Sequence, residues 1–142
     1  MEEYNVTKEF EVYWGDMDAF NHVNNTVYFK YFEHIRIVYL AESRFMESYQ
    51  ETGVGPILKT ASCKFKFPLT YPDKILVGTK VTDISEDRFT MKFGIFSQTH
   101  KILAAEGEGI IVSYDFTNAK KAAIPKIVRD FILKNDPGAE IR

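Results

Sequence analysis

The sequence predicts an α+β domain in which an antiparallel sheet of about five strands wraps around one long central helix. Three observations carry that expectation. A short N-terminal stretch alternates between apolar and polar residues, a long run of apolar residues at helical spacing follows it, and four strand-like segments then succeed one another across short turn signals. At 142 residues the chain fits a single core, so one domain spanning residues 1–142 is expected.

The first element covers residues 6–14, VTKEFEVYW, where β-branched and aromatic residues alternate in part with charged ones. The run GDMDAFNHVNN from Gly15 to Asn25 then breaks the pattern with Gly, Asp and Asn, whose geometry and side chains favour shaped loops. Val27, Tyr28, Tyr31, Phe32, Ile35, Val38 and Tyr39 recur at helical spacing, which predicts a helix from about residue 25 to 46, capped by Asn24 or Asn25. Phe29, Ile37 and Leu40 widen its apolar surface, so the helix is expected to be buried on most sides.

Beyond Gly53-Val54-Gly55-Pro56, strands are expected at residues 57–67, 74–86, 88–98 and 102–115. Turn signals at Pro68 to Asp73, Glu86-Asp87 and Gln98 to Lys101 separate them, and the short spacing of the last three predicts an antiparallel meander. A second helix is expected to start at Pro125, whose ring suits a first helical turn, and to run to Lys134.

Composition excludes several function classes. The 18 basic and 20 acidic residues give a formal charge of -2, too balanced for a protein that must neutralise a run of nucleic-acid phosphates. A nucleotide-bearing small molecule is compatible with that balance, because a few Lys or Arg residues suffice to hold its phosphates. The single Cys63 allows no intramolecular disulfide and no metal-ligand cluster. The start MEEYNVTKEF has neither a basic nor an apolar targeting region, and no stretch approaches 18 apolar residues, so a cytoplasmic protein without membrane contact is expected.

The run WGDMDAFNHVNNTVYFKYFEHIR carries the strongest functional signal. Trp14, Asp16, Asp18, His22, Val23, Asn24, Asn25, Tyr28 and Glu33 resemble the signature of the hotdog thioesterases of the 4-hydroxybenzoyl-CoA thioesterase type. Weaker similarity extends through FPLTYPDKILVGTKV, LAAEGEGIIVSYD and Ile124-Pro125. Related sequences often have Gly where this chain has Asn21, and small residues where it has Phe20. Asn tolerates positive φ, so the loop shape is expected to survive, whereas Phe20 is expected to narrow the pocket.

The resemblance implies a hotdog fold and hydrolysis of an acyl-CoA thioester without metal or cofactor. It implies that Asp18 acts as general base or nucleophile and that the Asn25 backbone amide polarises the thioester carbonyl, with active sites at the interface of a homodimer or homotetramer. Both roles are physically sound, because a helix N-terminus stabilises negative charge and its free N–H groups bind a developing oxyanion.

His22 is expected to orient Asp18, and Asp16 to brace loop amides. Glu33 is the competing carboxylate, since a second class of hotdog thioesterases uses a helix Glu, but an ion pair within the helix layer is its expected role. Tyr28 and Phe20 are candidates for lining the acyl pocket; Arg88, Lys120 and Lys121 are candidates for gripping CoA phosphates. Two other functions fit less well. A hotdog hydratase or dehydratase would use an Asp and a His, but usually with a Pro between them and a further Asp after the His. A non-catalytic acyl-CoA or acyl-carrier-protein binding module would not need both Asp18 and Asn25.

Overall fold

The computed structural model describes residues 1–142. Strand β1 (Val6–Glu11) leads through a single 3-10 turn, Trp14–Asp16, to helix α1 (Asn25–Glu42), and a shorter helix α2 (Phe45–Thr52) follows at once. Four long strands come next: β2 (Val54–Phe65), β3 (Lys74–Ile84), β4 (Arg88–Ser97) and β5 (Ile102–Asp115). The two-residue strand β6 (Lys120–Lys121), helix α3 (Lys126–Asn135) and the two-residue strand β7 (Glu140–Ile141) complete the chain. No helix is long and apolar enough to cross a membrane.

The five long strands run in the order β1-β3-β4-β5-β2, all neighbours antiparallel, and curl around α1. β3, β4 and β5 form the expected meander. β6 adds to β5, and β7 pairs in parallel with β3. Pro56 sits in β2 at the sheet edge, where its missing N–H costs no ladder bond.

Helix α1 is seated by aromatic packing. Phe32 stacks on Phe93 of β4 with ring centroids 4.9 Å apart, and a Cβ at Gly107 of β5 would overlap the Phe32 ring. Glycine there lets the helix lie against the strand. Val27, Tyr28, Tyr31, Phe32, Ile35, Tyr39 and Leu40 are its buried residues, continuous with a core of 26 side chains.

Two expectations need correction. The helix predicted to residue 46 stops at Glu42, because Ser43 Oγ donates to the Leu40 carbonyl at 2.7 Å and Arg44 turns into the left-handed region at φ 67°. The chain restarts as α2, which buries Phe45 against Phe89. Nor is α1 buried on most sides: Phe29 and Ile37 are 38% and 47% exposed, leaving one apolar flank open along the β2 side.

The C-terminal segment is pinned by a buried carboxylate. Asp136 accepts from Tyr39 Oη at 2.7 Å and from the Val81 amide at 3.1 Å, joining the end of α3 to α1 and β3.

Candidate active site

Backbone hydrogen bonds shape the loop that leads into α1. The Asn24 N–H donates to the Asp16 carbonyl at 2.9 Å, the Asp18 N–H to His22 O at 2.8 Å, and the Asn21 N–H to Asp18 O at 3.0 Å. Met17 and Val23 bridge across the loop, and the Val23 N–H donates to Leu69 O at 2.8 Å. Asn21 holds φ 62°, so Asn takes the left-handed turn expected of it. Asp16 braces the loop through its carbonyl, and its carboxylate bonds no amide.

The functional groups of this loop have spare bonding capacity. Asp18 Oδ1 accepts the Phe20 N–H at 2.9 Å, and no cation pairs with the carboxylate. Asn24, not Asn25, is the helix cap: its Oδ1 accepts from the Thr26 N–H at 3.0 Å and from Thr26 Oγ1 at 3.1 Å. The Asn25 N–H, first in α1, has no acceptor within the chain. It points out of the positive end of an 18-residue helix, where a negatively charged oxygen is stabilised.

These groups meet in one cleft of about 300 Å³. Asp18, Phe20, His22, Asn25 and Tyr28, expected from sequence, all line it, together with Val23 and the segment Phe65 to Pro68 at the end of β2. Phe20 stands at the rim, 82% exposed. Tyr28 is buried, and its hydroxyl serves the scaffold, accepting the Leu69 N–H at 3.0 Å and donating to Phe67 O at 3.3 Å. Burial holds its phenol above the ordinary range. Its ring also packs edge-on against Phe65 at 5.0 Å, so it forms the wall of the cleft.

Lys66, the only cation lining the cleft, drew no notice in sequence; it lies 3.5 Å from Glu106. A single Lys among several carries no signal of its own; the bond from its N–H to the Ala104 carbonyl at 2.8 Å, just past the end of β2, places it. Arg88, Lys120 and Lys121 do not reach this cleft within one chain. They pair with Val112, Asp115 and Tyr114 on β5, seven or more residues from Ala105, which lies opposite Phe65. At ~3.3 Å per residue that is more than about 20 Å. The Arg88 guanidinium is further engaged by Asp87 at 2.9 Å. Glu33 also lies outside the cleft, exposed on α1 and 3.8 Å from Arg36.

Residues 12–132 match the thioesterase-like superfamily. The chain belongs to that family. It is therefore a thioester hydrolase by class, on a hotdog fold. An Aquifex aeolicus (strain VF5) protein provisionally named an esterase is 29% identical over 122 residues, covering 85% of this chain and 92% of that protein. A gentisyl-coenzyme A thioesterase of known structure is 25% identical with a TM-score of 0.76, covering 87% of this chain and 97% of the other. A Thermus thermophilus thioesterase solved with coenzyme A and Zn shares the fold at a TM-score of 0.83 and 24% identity, over 96% of this chain and 98% of that one.

Proposed function

We propose that this single-domain thioesterase hydrolyses acyl-CoA thioesters to the free acid and CoA, with Asp18 and the Asn25 N–H as its machinery. The observation that carries this is their convergence: an unpaired carboxylate and an unspent helix N-terminal N–H line the same cleft. The Asn25 N–H binds the thioester carbonyl oxygen and stabilises the charge that develops on it during attack. Asp18 takes a proton from water as the water oxygen bonds to the carbonyl carbon. Collapse of the tetrahedral intermediate breaks the C–S bond, and CoA leaves as a thiolate that recovers a proton. Direct attack by Asp18 through an anhydride is the variant in which water enters in the second step.

His22 lines the cleft beside Asp18, and the two share a main-chain bond but no side-chain bond, which favours an orienting role over an acid-base dyad. Phe20 narrows the entrance. The mechanism requires neither metal nor prosthetic group.

The protein acts as a homodimer through β2. That strand is an unpaired edge of 12 residues bearing exposed Ile57, Leu58 and Phe65, and it adjoins the open flank of α1. Antiparallel pairing of two β2 edges brings the Arg88, Lys120 and Lys121 end of one copy towards the cleft of the other, where these side chains bind CoA phosphates. Cytoplasmic location accords with such a substrate. Thiol release measured across short, medium, long and aromatic acyl-CoAs tests the function. Cleavage of at least one class is expected, whereas hydration of enoyl-CoA with no thiol release would replace this reading by a hydratase.

A further inference from the structure

A second depression flanks β2 at its other end. It lies between the C-terminal half of α1, helix α2 and the first residues of β2, and encloses about 240 Å³. Seven of its nine lining residues are hydrophobic, Ile37, Leu40, Tyr49 and Leu58 among them, and the only charged one is Arg36.

Arg36 is out of keeping with these walls. Its side chain is 14% exposed, and its guanidinium donates no hydrogen bond within the chain. Its only ionic neighbour is Glu33 at 3.8 Å, beyond hydrogen-bonding reach and itself mostly in solvent. Burial disfavours the guanidinium's charge more than Glu33 restores it. Five donors held in a fixed fork, largely withdrawn from water and unspent, match the two oxygens of a carboxylate.

Within one chain this depression is far from the reacting centre, since Leu58 stands seven residues from Phe65, or about 23 Å of strand. The proposed dimer changes that. Two Val54–Phe65 strands paired antiparallel in full overlap set Pro56 opposite the partner's Cys63 and Leu58 opposite the partner's Ala61. The depression of one copy then lies within about two residues, roughly 7 Å of strand, of the partner's Phe65 at the cleft wall.

We propose that this depression receives the acyl end of a substrate whose thioester is bound in the partner subunit's cleft, and that Arg36 selects acyl groups carrying a distal carboxylate. The inference rests on the thioesterase and dimer readings above. The apolar walls take the methylene chain, and Arg36 takes the terminal anion. At roughly 30 Å³ for each water-sized group, the depression holds about eight heavy atoms. The substrate class is thus CoA monothioesters of medium-length dicarboxylic acids.

The test compares octanoyl-CoA with the CoA monothioester of octanedioic acid. Wild type is expected to favour the dicarboxylic substrate at least about tenfold in kcat/KM, and Arg36→Met to lower the ratio of the two values about ten- to a hundredfold, as expected for a charge-assisted bond. Arg36→Lys, which keeps the charge and loses the fork, is expected to retain part of the preference. A wild-type ratio near one, or a ratio unchanged in Arg36→Met, overturns the proposal. Mixing Asp18→Asn with Arg36→Met subunits locates the site. Restored dicarboxylate activity in the mixed dimer is expected, because one of its two sites then holds both intact residues; no restoration overturns the assignment across subunits. Calorimetry with octanoate, and octanol as uncharged control, separates this proposal from the function it rests on. Octanoate binding lost in Arg36→Met supports the anion site even if no thioester is cleaved, and equal binding by both proteins refutes it.

Discussion

Removing the Tyr28 hydroxyl isolates the scaffold of the cleft from its chemistry. Tyr28→Phe deletes one oxygen and leaves the ring, so no cavity opens and the packing against Phe65 persists. Two main-chain groups lose a partner: the Leu69 N–H, bonded at 3.0 Å, and the Phe67 carbonyl, bonded at 3.3 Å. Leu69 is fully buried, so water cannot replace the lost acceptor. A buried amide left unpaired costs about 1–3 kcal/mol, and the longer, half-buried carbonyl bond adds roughly 0.5 kcal/mol. The substitution is expected to cost about 2 kcal/mol, or roughly 8 °C in Tm for a chain of 142 residues. Urea unfolding of both proteins at one fixed concentration measures it, the concentration being held because a dimer's stability depends on it. Leu69 also accepts the Val23 N–H at 2.8 Å, so its displacement loosens the loop that carries Asp18, and KM should rise more than kcat falls. A change below about 0.5 kcal/mol would refute the assignment of the hydroxyl as a clamp between α1 and the segment after β2.

Tyr39→Phe removes the shortest bond to the buried Asp136 carboxylate and is expected to destabilise by about 1.5–3 kcal/mol in the same urea assay. Tyr31 provides the opposite case, since its buried hydroxyl has no partner. Tyr31→Phe should leave stability unchanged or raise it, and a loss above about 1 kcal/mol would show that the hydroxyl is satisfied after all. Burial pushes the Cys63 thiol up to about 11, so it stays protonated at neutral pH and should react with iodoacetamide far more slowly than free cysteine. The same shift lowers stability at alkaline pH. The unfolded thiol ionises near 9 while the folded one holds its proton to about 11, so stability present below 9 is lost as pH rises through that window. Cys63→Ala should flatten this part of the pH–stability curve.

Much of the fold was legible because local pattern and tertiary context agree. The apolar spacing from Val27 to Tyr39 marks the core face of α1, and the closely spaced turns mark the β3–β5 meander. The break at Ser43 and Arg44 was not legible, because neither residue is a strong helix breaker; a side-chain bond back to Leu40 and the burial of Phe45 decide it. The cleft was half visible. Asp18, His22 and Asn25 lie close together in the chain, so a motif reveals them, whereas Lys66 joins them only through the tertiary fold at the end of β2. Arg88, Lys120 and Lys121 stand at the far end of β5 from the cleft of their own chain, which was not legible because sequence reports charge and turn position, not which end of a strand faces a site; only the proposed dimer brings them to a cleft. Arg36 drew no notice in sequence, as a lone Arg on a helix is usually solvated; its burial beside apolar walls is a tertiary property.

The central claim, that Asp18 and the Asn25 amide together cleave a thioester, is tested most directly by single-turnover thiol release from the best acyl-CoA substrate in wild type and Asp18→Asn. The substitution keeps the shape of the side chain and its bond to the Phe20 N–H while removing its capacity as base or nucleophile. The account predicts that the rate falls at least about a hundredfold, with acyl-CoA affinity retained. A rate within a factor of about three of wild type would contradict it and move the chemistry to another carboxylate, Glu33 first among them.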